Sequence, residues 1–255
     1  MNGTNTLREL LDGSKRPLFM AHMIAGYPTV AKSKKVAKAL ADGGADIIEL
    51  QIPFSDPMAD GPTISVACQE ALEKGVTVAS ALKLVEDVAK LGKPVAVMSY
   101  LNPIFRFGFL DFAKTAQKVG ACALIVPDCP FDTEEGRTLL AACREADLYL
   151  VPVVSPGVPA ERLQTLARDA SGFVYCTSRQ GITGATSKFS KDLTDFVSEL
   201  KATFNLPIAV GFGVKSRADV EAISQFANIV IAGSVFVDAI KKNQDIERLS
   251  AALTA

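Results

Sequence analysis

Two carboxylates bound one segment of this chain, Glu49-Leu50-Gln51-Ile52-Pro53-Phe54-Ser55-Asp56-Pro57-Met58-Ala59-Asp60-Gly61-Pro62. Glu49 closes an apolar, strand-like run (Ile47, Ile48), a costly place for an ionisable group unless it is used. Asp60 follows a Pro- and Gly-marked loop long enough to fold its carboxylate back over the same strand end. Two acids in one pocket can divide proton donation and acceptance when their surroundings push their pKa values apart. A purely structural reading also exists: a strand-end carboxylate capping a helix, plus a turn aspartate.

A second set of residues suits an oxyanion. Gly181 and Gly184 lie in a Gly/Ser/Thr-marked stretch from Thr177 to Ser190; Gly211-Phe212-Gly213 and Gly233-Ser234 each follow short apolar runs. Glycines there let backbone N–H groups approach a phosphate, and a helix N-terminus after Gly233 adds a favourable field. Plain turn usage is the alternative for each glycine alone. Neither a Walker-type phosphate loop nor a dinucleotide fingerprint occurs, which argues against a nucleoside triphosphate or a dinucleotide.

Other chemistries lack their residues. The chain has one histidine, His22, too few for a His-rich zinc centre, so no metal site is expected. As a lone histidine near a strand end, His22 reads more readily as a structural residue than as a ligand. No lysine falls at a strand terminus to form a Schiff base, and no GxSxG elbow is present. Acid–base chemistry by carboxylates on a phosphorylated small molecule remains, without metal or bound cofactor.

The elements that must carry these residues alternate along the chain. Strand-like runs cover Leu18–Ile24, Asp46–Leu50, Val95–Ser99, Ala123–Val126, Tyr149–Val153, Phe173–Cys176, Ile208–Val210 and Ile229–Ala232. Between them lie amphipathic patterns such as Val78, Leu82, Val85, Val88, Ala89 and Leu193, Phe196, Val197, Leu200, with helical spacing. Near-continuous apolar strands separated by helices imply parallel pairing with both faces buried. Eight such units in a chain of 255 residues predict a single α/β domain over residues 1–255, a (β/α)₈ TIM barrel, with a doubly wound open sheet as the alternative. The leading segment Thr6–Asp12 predicts an extra helix beneath the barrel, and Ser234 onward a short phosphate-binding helix after strand 8. In this fold the chemistry sits on the loops after the strands. The segments after Glu49 and after Thr177 both exceed the usual loop length of about two to six residues.

Formal charge is −1, from 27 Lys+Arg against 28 Asp+Glu, with no basic block, so neither nucleic acid nor a membrane surface is an expected partner. The polar start, and a first apolar run interrupted by His22 and Gly26, give no signal-peptide or membrane-span pattern, and a cytoplasmic location is expected. Five scattered cysteines without a CxxC pair read as reduced thiols.

These residues resemble the tryptophan synthase α subunit family. Its hallmark around the first acid, approximately E-L-G-x-P-F-S-D-P-x-A-D-G-P, is reproduced from Glu49 to Pro62 with one change; Ser178-Arg179-Gln180-Gly181-Ile182-Thr183-Gly184 matches its second loop; Val210-Gly211-Phe212-Gly213 and Ala232-Gly233-Ser234 match its phosphate-binding ends. The likeness runs from about Leu18 to Ile240. It implies retro-aldol cleavage of indole-3-glycerol phosphate to indole and glyceraldehyde 3-phosphate. Glu49 would be the acid/base, with a raised pKa at its apolar strand end, and Asp60 the lasting anion that accepts the indole N–H. Tyr175, Tyr100, Phe212 and Thr183 would contact substrate, while Gly184, Gly213, Gly233 and Ser234 would hold the phosphate. Thr183 would close against Asp60, with Arg179 helping to fix the closed state. Pro53 and Asp56 would meet a β subunit that carries pyridoxal phosphate and receives the indole in an α2β2 assembly. A stand-alone indole-releasing lyase and a catalytically weak regulator of the β subunit are the other readings. Two positions depart from the family: Gln51 stands for the usual glycine, and His22 for a common aromatic.

Overall fold

A computed structural model describes residues 3–177, 191–211 and 213–255. In chain order its elements are α1 (Gly3–Gly13), β1 (Leu18–Ile24), α2 (Val30–Asp42), β2 (Ile47–Gln51), α3 (Pro62–Glu73), α4 (Val78–Ala89), β3 (Val95–Met98), α5 (Leu101–Phe107), α6 (Phe109–Lys118), β4 (Ala121–Ile125), α7 (Glu134–Glu145), β5 (Tyr149–Val151), β6 (Val153–Val154), α8 (Ala160–Ala167), β7 (Val174–Cys176), α9 (Lys191–Phe204), β8 (Ile208–Val210), α10 (Arg217–Ser224), β9 (Ile229–Ala232), α11 (Ser234–Lys241) and α12 (Ile246–Thr254).

All strand pairs are parallel, in the order β5-β4-β3-β2-β1-β9-β8-β7-β6. The two ends of that order, β5 and β6, are one run of chain divided at Pro152, which has no N–H to give a ladder. Pro152 still accepts from the Tyr175 N–H at 2.9 Å. The sheet therefore closes into an eight-position barrel, as the strand–helix alternation predicts. Closure by parallel strands also rules out the open-sheet alternative.

Strand parity divides the core in two. Leu18, Met20, Ile47, Ala96, Met98, Ala123, Ile125, Val151, Phe173, Ala209, Ile229 and Ile231 fill the barrel interior. The alternate residues, including Phe19, Ala21, Ile48, Leu50, Val97 and Leu124, face the helices. Each fully buried Leu, Ile or Phe among them contributes about 1.5–3 kcal/mol of transfer free energy. The predicted leading helix forms as α1, longer at both ends than Thr6–Asp12. Its Leu7 is fully buried in the interior cluster, with Leu10 and Leu11 packed on it, and the Thr4 hydroxyl donates to the Asp147 carbonyl at 2.7 Å. This helix plugs the barrel's lower end. Beside it the Arg16 guanidinium grips Asp46 through two bonds of 2.7 and 2.9 Å, and Asp46 accepts the Phe19 N–H at 2.8 Å.

Side-chain caps start several of the outer helices: Thr29, Thr77, Thr133, Ser216 and Asp245 each accept an N–H from the first turn. At α3 and α11 the cap is a glycine, Gly61 or Gly233, which makes no side-chain cap bond. Among the described residues no helix is long and apolar enough to cross a membrane.

Candidate active site

The interior rows, followed upward, assemble the site. Two residues past Met20 comes His22; past Ile47 come Glu49 and Gln51; past Met98, Tyr100; past Phe173, Tyr175; past Ile231, Gly233. Register places Met20 beside Ile47 and His22 beside Glu49. A row that is apolar below therefore becomes polar at the C-terminal ends of the strands, where barrels of this type keep their chemistry.

Glu49 is 1% exposed and His22 5%. His22 Nδ1 lies 3.0 Å from Glu49 Oε2. Burial pushes the His22 pKa down, but Glu49, Asp60 and the Gln51 amide together outweigh it and raise the value. Asp60 returns over the strand end as its loop length predicts: Gln51 Nε2 donates to Asp60 Oδ2 at 2.6 Å, and the Asp60 N–H is held by the Pro57 carbonyl at 3.0 Å. The Asp60 pKa is raised. Burial is the main cause, with Glu49 adding to it, while Gln51, His22 and Tyr100 favour the anion and oppose it. The direction is opposite to that expected of a lasting anion, because the loop carries Asp60 into a half-buried position.

Tyr100 is fully buried, and its hydroxyl accepts the Ala59 N–H at 3.1 Å, tying the Asp60 loop to the end of β3. Its ring packs on Phe54 at 5.5 Å. Tyr175, half-buried in the middle of β7, has a phenol pushed well above its usual range, first by burial and then by the Glu49 and Asp60 charges. Both acids thus act on the same phenol and on one histidine. Gly233 packs against His22, where an added Cβ would lie 3.4 Å from the ring. Ser234 opens α11, whose N-cap, Gly233, contributes no side-chain cap bond. Gly211 has no room for a side chain, since a Cβ would come within 2.7 Å of Ile231. Gly213 turns with φ +61° in open space.

The structure thus brings Glu49, Asp60, Tyr100, Tyr175, Gly233 and Ser234 to one end of the barrel. Phe212, Thr183 and Gly184, with Arg179 and Gly181, lie outside the described residues. Asp56 is exposed on the loop, with Ser55 donating to its carboxylate at 2.5 Å. Pro53 directly follows β2 and is buried within the chain. Met58, 88% exposed, is the loop's outermost apolar side chain. Sequence reasoning missed the Glu49–His22 and Gln51–Asp60 bonds. The signal for both was parity, since Gln51 shares the face of Glu49, and His22 that of Met20. Among the described residues no cluster of three or more His, Cys, Asp or Glu could hold a metal.

Fold and site together define a (β/α)₈ barrel enzyme with paired carboxylates and a glycine-lined helix start at its upper face. A family model described as tryptophan synthase alpha chain matches residues 9–254. Tryptophan synthase alpha chains of Syntrophotalea carbinolica and Desulfotalea psychrophila are 41% and 37% identical to it, over 90% and 93% of this chain and 90% and 94% of theirs. A crystal structure of tryptophan synthase from M. tuberculosis superposes with a TM-score of 0.88 at 34% identity, covering 99% of this chain and 97% of that one. The alpha chain from Legionella pneumophila gives 0.85 at 30%, covering 100% and 95%. The chain belongs to the tryptophan synthase alpha chain family, and is a lyase that cleaves indole-3-glycerol phosphate.

Proposed function

We propose that Glu49 and Asp60 carry the retro-aldol cleavage of indole-3-glycerol phosphate to indole and glyceraldehyde 3-phosphate, and that residues 1–255 act as one catalytic domain. The observation that supports this most is the convergence of the two carboxylates at one barrel mouth. Carbon–carbon scission requires the indole ring to lose aromaticity by protonation at C3. Glu49, held rigid within β2, delivers that proton and then takes the proton of the side-chain hydroxyl as the aldehyde forms. Asp60, with Oδ2 held by Gln51 Nε2, offers its other oxygen to the indole N–H and stabilises the cationic ring as a fixed anion. Tyr175 and Tyr100 wall the ring; Phe212 and Thr183, outside the described residues, are the further substrate contacts the resemblance implies. The phosphate rests on backbone N–H groups at Gly233 and Ser234, where the α11 N-terminus favours an anion, with Gly213 nearby in the loop after β8; Gly184, outside the described residues, is a further phosphate contact the resemblance implies.

The chain itself works without a cofactor in this reading. Indole passes to a pyridoxal-phosphate-bearing β subunit in an α2β2 assembly in the cytoplasm. The contact is made by the loop carrying Asp56 and Met58. An assay of indole release by the isolated chain, repeated with a β subunit added, tests it. Weak activity with large stimulation is expected. Strong unstimulated activity would favour a stand-alone lyase, and no activity in either state would leave a regulator.

A further inference from the structure

We propose that His22 and Gln51 are positioning residues that join the two acids into one hydrogen-bonded chain, Glu49–His22–Gln51–Asp60, through which Glu49 and His22 share a proton. The inference rests on Glu49 and Asp60 being the catalytic pair. Two of its three links are in place: His22 Nδ1 to Glu49 Oε2 at 3.0 Å, and Gln51 Nε2 to Asp60 Oδ2 at 2.6 Å. The third follows from a coincidence. Among the described residues, the buried side-chain nitrogens and oxygens left without a partner are His22 Nε2 and Gln51 Oε1. Both residues are buried, at 5% and 0% exposure, and both belong to interior rows of adjacent strands, one layer apart. One atom can carry a hydrogen and the other can only accept. Left apart, each would be a desolvated polar atom with no hydrogen-bond partner, an unfavourable state that pairing relieves.

The chemistry of the chain is directional. Ionised Asp60 only accepts, so Gln51 must present its NH₂ there, which turns Oε1 away from Asp60. An acceptor at Oε1 requires the hydrogen of His22 to sit on Nε2, which leaves Nδ1 as the nitrogen that exchanges with Glu49. In one state Glu49 is protonated and donates to a bare Nδ1. In the other the same proton sits on Nδ1, and the imidazolium donates to ionised Glu49. One O–H bond is exchanged for one N–H bond, and nothing is gained or lost. The groups facing His22 are Glu49 from β2, Asp60 from the following loop and, from β9, the Gly233 backbone against the ring; Tyr175 lies beyond, within the field of both acids.

The chain's single histidine makes the test direct. ¹⁵N-histidine NMR of the full chain reports tautomer and titration without assignment. The neutral imidazole should carry its hydrogen on Nε2, and Gln51→Gly should abolish that preference. A neutral wild-type imidazole with its hydrogen on Nδ1, or a tautomer untouched by Gln51→Gly, would overturn the proposal. In kinetics His22→Phe and Gln51→Gly should each lower kcat about ten- to a hundredfold, as loss of a supporting partner does, with KM little changed. The double variant should lose far less than the product of the two, because the orphaned partner is removed as well. Additive losses would contradict the coupling. Absent indole release from a wild-type chain with the expected tautomer would count against the assigned reaction, not against the hydrogen-bonded chain.

Discussion

Asp60 illustrates how position within the site competes with charge. Burial raises its carboxyl pKa above the usual 3.8, and the opposing effects of Gln51, His22 and Tyr100 do not cancel the rise. A group that binds its proton more tightly folded than unfolded favours the fold at low pH. That contribution is lost as pH climbs from the ordinary aspartate value through the raised one. Relative to the wild type, Asp60→Asn should therefore gain stability between about pH 4 and 7. Urea unfolding at both ends of that range checks it, and a difference that stays constant would contradict burial as the cause of the rise. Glu49 and Asp60 were legible in the sequence because a carboxylate beside Ile47 and Ile48, and another behind a proline-marked loop, stand out against apolar surroundings. Their partners were not. Parity put His22 and Gln51 on the interior face, but the His22–Glu49 bond depends on which residues of β1 and β2 stand side by side, which one strand cannot reveal, and the Gln51–Asp60 bond depends on the path of the loop.

Among the elements, strand existence was readable and strand continuity was not. Leu18–Ile24, Ile208–Val210 and Ile229–Ala232 form with the predicted ends, since Gly, Pro or polar residues bound each apolar run. The predicted Tyr149–Val153 strand is cut at Pro152, because a ring nitrogen cannot join a ladder whatever the hydrophobicity around it. The apolar side chains of α1 marked a helix in the sequence, but its docking site did not show there, because the interior cluster it seals is gathered from strands throughout the chain. Truncating its fully buried Leu7 to alanine should cost about 2–5 kcal/mol, by lost transfer energy and an unfilled space. The site lies at the opposite end of the barrel, so KM for indole-3-glycerol phosphate should stay within twofold, on the order of measurement scatter. Denaturant unfolding and steady-state kinetics on the same preparation separate the two effects; a large KM change would mean that the lower end of the barrel communicates with the mouth.

At the scale of the molecule, most large apolar side chains are inside, and two prominent exceptions belong to the loops and helices above the strands. Met58 is 88% and Phe105 62% exposed, one beside Asp60 on its loop and the other on α5. Surface methionine and phenylalanine are features of partner-facing patches. Met58→Asp should weaken association with a β subunit by tenfold or more, about 1.4 kcal/mol, and leave the isolated chain's turnover unchanged; titration calorimetry gives the first and indole release the second. In the proposed function, the organisation of the whole molecule, with a plugged base, a sealed interior and a polar mouth, serves to hold two acids over one ligand. Comparison of Glu49→Gln and Asp60→Asn with the wild type for indole-3-glycerol phosphate turnover, alongside their affinity for glycerol phosphate, tests that claim most directly. Each variant should lose about a hundred- to ten-thousandfold in kcat while binding glycerol phosphate as before. Wild-type turnover in either one would contradict the account.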